Sequence, residues 1–408
     1  MNLSQLVSRT LQQHVTLLGI GPMSKAVLQA GFELAKEQDF PLMLIASRNQ
    51  VDSAAFGYGY VGGWDQAAFG AACGEMAQQV GFDGLYYLCR DHGGPWQRDE
   101  ERAAALPEEE AMDRALRSFI ADLHAGFGLL HVDPTKDPHV LGQYRTSSIP
   151  MDVVLQRTVA LIDGIEQERR RAGLPEVAYE VGTEETSGGL TSPEAFGDFV
   201  RQLCETLDRK GLPRPSFIVG QTGTLVRLTE NVGRFSQENA GDLAAIAREN
   251  GVGLKEHNTD YIPDADLLLH PALRVTAANV APEFGVVETR ACKVLCAIAR
   301  EMGGTEDMLR IWQRAAVDSN RWRKWMTQDI TPEQLQNDEQ LADQVLDIAG
   351  HYCFDQPDVQ AARVEMTAFL EEHGVPAQRY VVESVKASIA RYVRAFGLAG
   401  WTARVRGV

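Results

Sequence analysis

Short, continuous apolar runs recur along the chain, each leading into a turn rich in Gly, Pro, Asp or Asn and then into a longer segment of helical spacing. Eight such runs are Val15–Ile20, Leu42–Ala46, Leu85–Cys89, Leu129–Val132, Ala178–Val181, Phe217–Val219, Val252–Lys255 and Leu273–Thr276. They lack the strict alternation of a strand with one wet face, and so read as parallel strands covered by helices. Between them, apolar residues fall at 3.6-residue spacing in segments such as Ala26–Glu37, Ala67–Val80, Arg114–Ala125, Val153–Ala172, Pro193–Lys210 and Asn239–Asn250. Thr191-Ser192-Pro193-Glu194 has the Pro and acid of a helix start, and Ala172-Gly173 and Lys210-Gly211 have the Gly of a helix end. Eight strand–helix units in about 300 residues predict an α/β fold, a (β/α)8 TIM barrel. An open doubly wound sheet is the alternative, but no Gly-x-Gly-x-x-Gly follows the first strand.

Beyond Glu301 the strand signal stops. Residues 1–301 are therefore expected to form the barrel and 302–408 a C-terminal helical extension, with amphipathic spacing over Met308–Val317, Pro332–Gly350, Val359–His373 and Tyr380–Phe396. Aromatic and basic residues gather at Trp312–Trp325. This cluster reads as a helical appendage packed on the barrel or on a second subunit, or else as a patch for a partner or phosphate. The acidic stretch Asp99–Asp113 is expected to be an exposed helix start with a loop.

Composition narrows the function. The chain has 408 residues, 39 Lys+Arg against 56 Asp+Glu, and a net charge of −17. Such a field repels polyanions and argues against nucleic-acid binding. A small phosphorylated substrate is compatible with it, because local donors dominate within a Debye length of about 8 Å. No run approaches the ~18 apolar residues of a membrane span, and the start Met1–Arg9 has no secretory pattern, so a cytoplasmic location is expected. The six cysteines are scattered without a Cys-x-x-Cys pair and read as reduced core thiols.

In a barrel, chemistry belongs where strands end and βα loops begin. Those ends carry Ser47-Arg48-Asn49-Gln50, Arg90-Asp91-His92-Gly93, His131-Val132-Asp133, Glu180-Val181-Gly182-Thr183-Glu184-Glu185, Gly220-Gln221 and Lys255-Glu256-His257-Asn258-Thr259-Asp260. His92, Glu184 and His257 form a candidate three-ligand set for a divalent metal, zinc first, with manganese or cobalt as alternatives. Such an ion would polarise a ketose carbonyl. Asp91, beside a ligand, is the candidate acid/base, and Glu184 is counted with it as catalytic. His131 and Asp133 either join the metal or substrate, or serve the loop opened by Asp133-Pro134. Asn49, Gln50 and Gln221 suit sugar hydroxyls, or cap buried loops. Lys255 stands two before His257 on the same strand face and is expected to reach the mouth, and Asp260 is counted as substrate-binding. The other histidines (His14, His124, His139, His270, His351, His373) read as structural or surface residues.

These strand ends resemble the family of the tagatose-bisphosphate aldolase non-catalytic subunit, the GatZ/KbaZ type once labelled tagatose-6-phosphate kinases. The matching pieces are Ser47-Arg48-Asn49-Gln50-Val51, Asp91-His92-Gly93-Gly94-Pro95-Trp96, Gly126-Phe127-Gly128-Leu129-Leu130-His131-Val132-Asp133, Val181-Gly182-Thr183-Glu184 and Glu256-His257-Asn258-Thr259-Asp260-Tyr261. Their order and spacing cover essentially the whole barrel, roughly residues 10–300. No phosphate loop supports a kinase. The family is similar to class II, zinc-dependent ketose-bisphosphate aldolases. That resemblance implies Asp91 as acid/base and His92 and His257 as ligands, with Glu184 as third ligand because Gln221 replaces the aldolases' strand-6 histidine.

Two activities follow from the resemblance. Some members are regarded as stabilising subunits of a separate catalytic aldolase; others act alone as 4-epimerases of D-tagatose 6-phosphate and D-fructose 6-phosphate. The expected function is the second: a metal-dependent enzyme acting on a ketose phosphate through C3–C4 aldol chemistry. Its alternative is a non-catalytic partner of a class II aldolase, with Trp312–Trp325 as interface, and a homo-oligomer is also an open expectation. The chain departs from the family after strand 8, at Ala277-Ala278-Asn279-Val280-Ala281-Pro282-Glu283-Phe284-Gly285, and after strand 1, at Gly21-Pro22-Met23-Ser24-Lys25. The first segment is closer to the aldolases' phosphate-side Asn-Val-Ala motif. It makes Asn279 a substrate-binding candidate and opens a helix whose amides are expected to hold a phosphate, with Glu283 competing.

Overall fold

The computed structural model describes residues 1–140, 149–183, 189–304, 307–326 and 330–407. Eight parallel strands close a barrel: β1 (Leu17–Ile20), β2 (Leu42–Ser47), β3 (Tyr86–Gly93), β4 (Leu129–Val132), β5 (Ala178–Val181), β6 (Phe217–Val219), β7 (Gly253–Glu256) and β8 (Ala277–Val280). Each strand pairs with its sequence neighbours, and Leu17–Ile20 aligned on Ala277–Val280 shuts the ring. Nearly every strand residue is buried, since helices cover the outside and side chains fill the inside.

The eighth strand lies four residues later than the apolar run Leu273–Thr276. That run is the end of the helix Asp264–Leu273, its left-handed cap Arg274 (φ 63°) and a lead-in whose Thr276 N–H bonds Leu254 O at 2.9 Å. An apolar run alone does not separate a helix end from a strand. The shift matters because it places Asn279 inside the barrel wall, beside Gly19. A Cβ at Gly19 would lie 2.2 Å from Asn279 Oδ1, so glycine on β1 is what makes room for that side chain.

The extension is all helical among its described residues, and Pro332–Gly350 splits into two helices where the Asp338 carboxylate accepts Leu341 N–H at 3.0 Å. Its last helices are continuous with the barrel: Val382, Val385, Ile389, Tyr392, Val393 and Trp401 belong to the barrel's apolar core. A second core joins the helix Pro282–Glu301 to residues 308–381. Trp312 and Trp322 are buried in it, so the aromatic cluster packs within its own chain. Glu101, in the acidic stretch, is buried rather than exposed and takes a two-pronged bond from Arg48, at 2.8 and 2.9 Å. The six cysteines are buried and free. No helix among the described residues is long and apolar enough to cross a membrane.

Candidate active site

Strand β3 sets the site. Arg90 points outward, where its guanidinium bonds both oxygens of Asp122 on the helix Glu108–His124. Strict alternation would turn Asp91 inward and His92 outward. The pairing of β3 with β4 instead slips between Arg90 and Gly93, and His92 takes a left-handed backbone, φ 43°. A bulge of this kind re-aims a side chain at the expense of local strain. Asp91 and His92 consequently both face one cavity of about 330 Å³ at the C-terminal mouth of the barrel, with His257 and Asn279.

His92, His131 and His257 offer ring nitrogens that all lie within 4.8 Å of one another. His92 Nδ1 is 2.6 Å from Asp133 Oδ2, and His257 Nε2 is 2.7 Å from Glu180 Oε1. Those carboxylates can only accept, so each of the two outer nitrogens carries its proton and the ring orientation is fixed. The inner nitrogens, His92 Nε2 and His257 Nδ1, then face each other at 3.1 Å. Two lone pairs at that distance require a cation between them, either a proton or a metal ion. His131 receives the His92 backbone N–H on Nδ1 at 3.1 Å, and its Nε2 is buried without a hydrogen-bond partner among the described residues. Three imidazoles, two of them oriented by carboxylates, fit a divalent metal.

The electrostatics place that cation on His92, as a proton, when no metal is bound. Burial lowers the His257 ring below the ordinary histidine value despite Asp91 and Glu180, which leaves it neutral as a ligand must be. Burial also disfavours charge on His92, but Asp91 and Asp133 outweigh it and lift that ring to about 9. Burial would raise Asp91; the charge of His92 and the hydrogen bond of His131 prevail and hold it well below the carboxylate range. Asp91 is therefore ionised. Its Oδ1 accepts Asn279 Nδ2–H at 3.0 Å, and Asn279 Oδ1 is buried without a partner among the described residues. That oxygen is packed against Gly19 of β1.

The structure brings Asn49, Gln50, Asp91, His92, Asp133, His257, Asp260 and Asn279 to one cavity. His131 lies directly behind the lining, at 1% exposure. Asp133 orients His92 and takes the Thr135 N–H of the following turn. Asn49 and Gln50 line the cavity with amides already engaged: Asn49 bonds Gln97 O and Asp99 N, and Gln50 bonds Ser47 N and Met23 Sδ. Gln221 is buried and outside the lining. Glu184 lies outside the described residues.

Lys255 departs from expectation. It does not reach the mouth: it is fully buried, 2.5 Å from Glu180 Oε2, inside the barrel. Glu180 is the residue that sequence reasoning missed as a participant. Burial would raise it, but Lys255, His131 and His257 hold it down at about 2. An acid inside the apolar run Ala-Tyr-Glu-Val, matched by a lysine inside Gly-Leu-Lys-Glu, was the available signal, because charges enter a core only in pairs.

The helix start expected to hold phosphate is already capped. Asp260 Oδ1 accepts Ala281 N–H at 3.1 Å and Glu283 N–H at 2.8 Å, and Glu283 itself accepts Tyr261 N–H and the Ser388 and Tyr392 hydroxyls. Burial, then the neighbouring Glu283, pushes Asp260 up to about 7. A raised carboxyl favours the folded state fully below the unfolded value of about 4, and that contribution is lost as pH rises to about 7. D260N keeps the acceptor and removes the charge. Between pH 5 and 8 its stability in urea should decline less than the parent's, by roughly 2 kcal/mol; parallel curves for the two chains would contradict this assignment.

Comparison with known proteins follows the same lines. No curated protein matches the chain by sequence. Among solved structures, a probable tagatose 6 phosphate kinase from Sinorhizobium meliloti superposes with a TM-score of 0.77 at 20% identity, over 93% of this chain and 100% of that one. The fructuronate-tagaturonate epimerase UxaE of Cohnella laeviribosi gives 0.59 at 14%, over 94% and 82%. The fructose-bisphosphate aldolase of Campylobacter jejuni gives 0.56 at 13%, over 98% and 94%. At these identities the neighbours establish a shared fold. The family itself is established by sequence over residues 3–395: the chain belongs to the D-tagatose-1,6-bisphosphate aldolase subunit GatZ/KbaZ-like family.

Proposed function

We propose that this chain is a stand-alone, metal-dependent sugar-phosphate enzyme that interconverts D-tagatose 6-phosphate and D-fructose 6-phosphate by breaking and remaking the C3–C4 bond. The observation that carries this reading is the pair of carboxylate-oriented imidazoles facing each other at 3.1 Å beside the ionised Asp91. A divalent ion, zinc first and manganese or cobalt otherwise, held by His92, His131 and His257, would supply Lewis acidity toward the ketose oxygens. Glu184 remains a further candidate ligand.

The chain's own groups account for the proton movements. Asp91, held by Asn279, takes the proton of the C4 hydroxyl as the C3–C4 bond breaks into a three-carbon enediolate and an aldehyde carrying C4 to C6. The aldehyde turns its other face, C3 adds back to C4, and Asp91 returns the proton to the oxygen on C4. The configuration at C4 is inverted and nothing else changes. A cavity of about 330 Å³ is of the size that retains small ligands.

The second reading, a stabilising partner of a separate aldolase, is favoured by the chain's membership of a family of aldolase subunits. Against it, Trp312 and Trp322 of the expected interface are consumed in the chain's own core. The bond-breaking chemistry is tested with D-tagatose 6-phosphate deuterated at C4. In ordinary water the D-fructose 6-phosphate formed should keep its deuterium, because the C4–H bond never breaks; wash-out of the label would sink the aldol route.

A further inference from the structure

The mouth of the cavity is roofed by two segments far apart in sequence: the hairpin of Val226–Arg227 and Glu230–Asn231 after β6, and the single turn Arg323–Trp325 of the extension. They are joined by a backbone bond from Leu228 N–H to Trp325 O at 2.9 Å. Leu228, at the tip, holds a left-handed backbone (φ 50°), a conformation that costs a leucine energy and persists only where surroundings enforce it. From the other side, Trp325 Nε1–H donates to the Tyr352 hydroxyl at 3.0 Å, and the Tyr60 ring meets Tyr352 edge-on at 4.8 Å. The roof is braced by barrel and extension together.

Arg227 and Lys324 stand on either side of this junction and both line the cavity. Among the described residues neither makes an ion pair. Arg227 Nη1 donates to Val226 O, and Lys324 Nζ lies 5.2 and 5.4 Å from the Trp325 and Tyr352 ring centres. The acids that line the cavity are otherwise engaged: Asp91 and Asp133 by the histidines, Asp99 by Arg102 and Asp260 by the helix start. In a chain of net charge −17, two cations without a carboxylate partner at one mouth make a local positive focus. The floor is the reverse, since buried Asp260 holds the amides an anion would need.

We propose that Arg227 and Lys324 bind the anionic group of the substrate at the mouth, and that Asp260 restricts the floor to an uncharged end. The ligand class is a ketose with one phosphate, on the terminal carbon far from its carbonyl. This inference rests on the sugar-phosphate reading above for the identity of the sugar, and adds which residues read the charge and how many charges are accepted.

Calorimetric titration of the full chain with D-tagatose 6-phosphate and with unphosphorylated D-tagatose tests it. Arg227→Met and Lys324→Met should each raise the Kd for the phosphate by about tenfold or more, leave D-tagatose binding unchanged, and be largely rescued in Lys324→Arg. An unchanged Kd for the phosphate in both Met variants overturns the proposal. So does an equal loss for both sugars, or a parent chain with no preference for the phosphorylated one. Binding needs no turnover. A chain that binds phosphate through this pair but converts nothing refutes the epimerase and keeps the inference; turnover with binding unaffected by either variant does the opposite.

Discussion

His257→Ala should lose bound metal and turnover together. The ring supplies one of three converging nitrogens and has no substitute in the described part of the site. Metal content measured by mass spectrometry after dialysis is expected to fall to background, and ketose-phosphate turnover by at least about a thousandfold. Asp133→Asn is the companion case. It removes no ligand, only the carboxylate that fixes the His92 tautomer, and should weaken metal affinity by about 10- to 100-fold. Retention of metal by His257→Ala would show that the histidines are not the ligands.

The second large effect concerns stability. Lys255 and Glu180 are both fully buried, and their ion pair sits directly beneath the histidines through the bond of Glu180 to His257. Removing one partner leaves an uncompensated charge in the barrel, which costs about 3–5 kcal/mol. Lys255→Met is expected to lose that much in urea unfolding. The double variant Lys255→Met with Glu180→Gln should recover a large share of it, because no bare charge remains. A loss below about 1 kcal/mol in the single variant would mean that the pair does not share the low-dielectric interior that the structure gives it.

The barrel was legible because its signal is repeated: a run such as Ala178–Val181 or Phe217–Val219, followed by a capped helix, occurs eight times in one order. The eighth strand was misplaced where the apolar character of Leu273 served a helix end instead. Asp91, His92 and His257 could be read from strand ends. For His131 the strand end leaves open whether the ring joins a metal or serves the loop, since a ring pointing inward from β4 meets His92 and His257 only after closure of the barrel. For Lys255 the sequence pattern gives the right face and the wrong depth, because strand phase sets direction but not how far below the mouth a side chain stops. The roof of Arg227, Lys324 and Trp325 was beyond reach. It depends on a contact between residues about a hundred positions apart, with no periodicity to announce it.

The most direct measurement is also the simplest. Purified chain, stripped with chelator and then given Zn²⁺, Mn²⁺ or Co²⁺, is incubated with D-tagatose 6-phosphate and the products are resolved by NMR. The account predicts D-fructose 6-phosphate in the metal-loaded samples alone, with no second protein present. Absence of conversion with every metal, together with a rise in the activity of a separate class II aldolase when this chain is added, would contradict it.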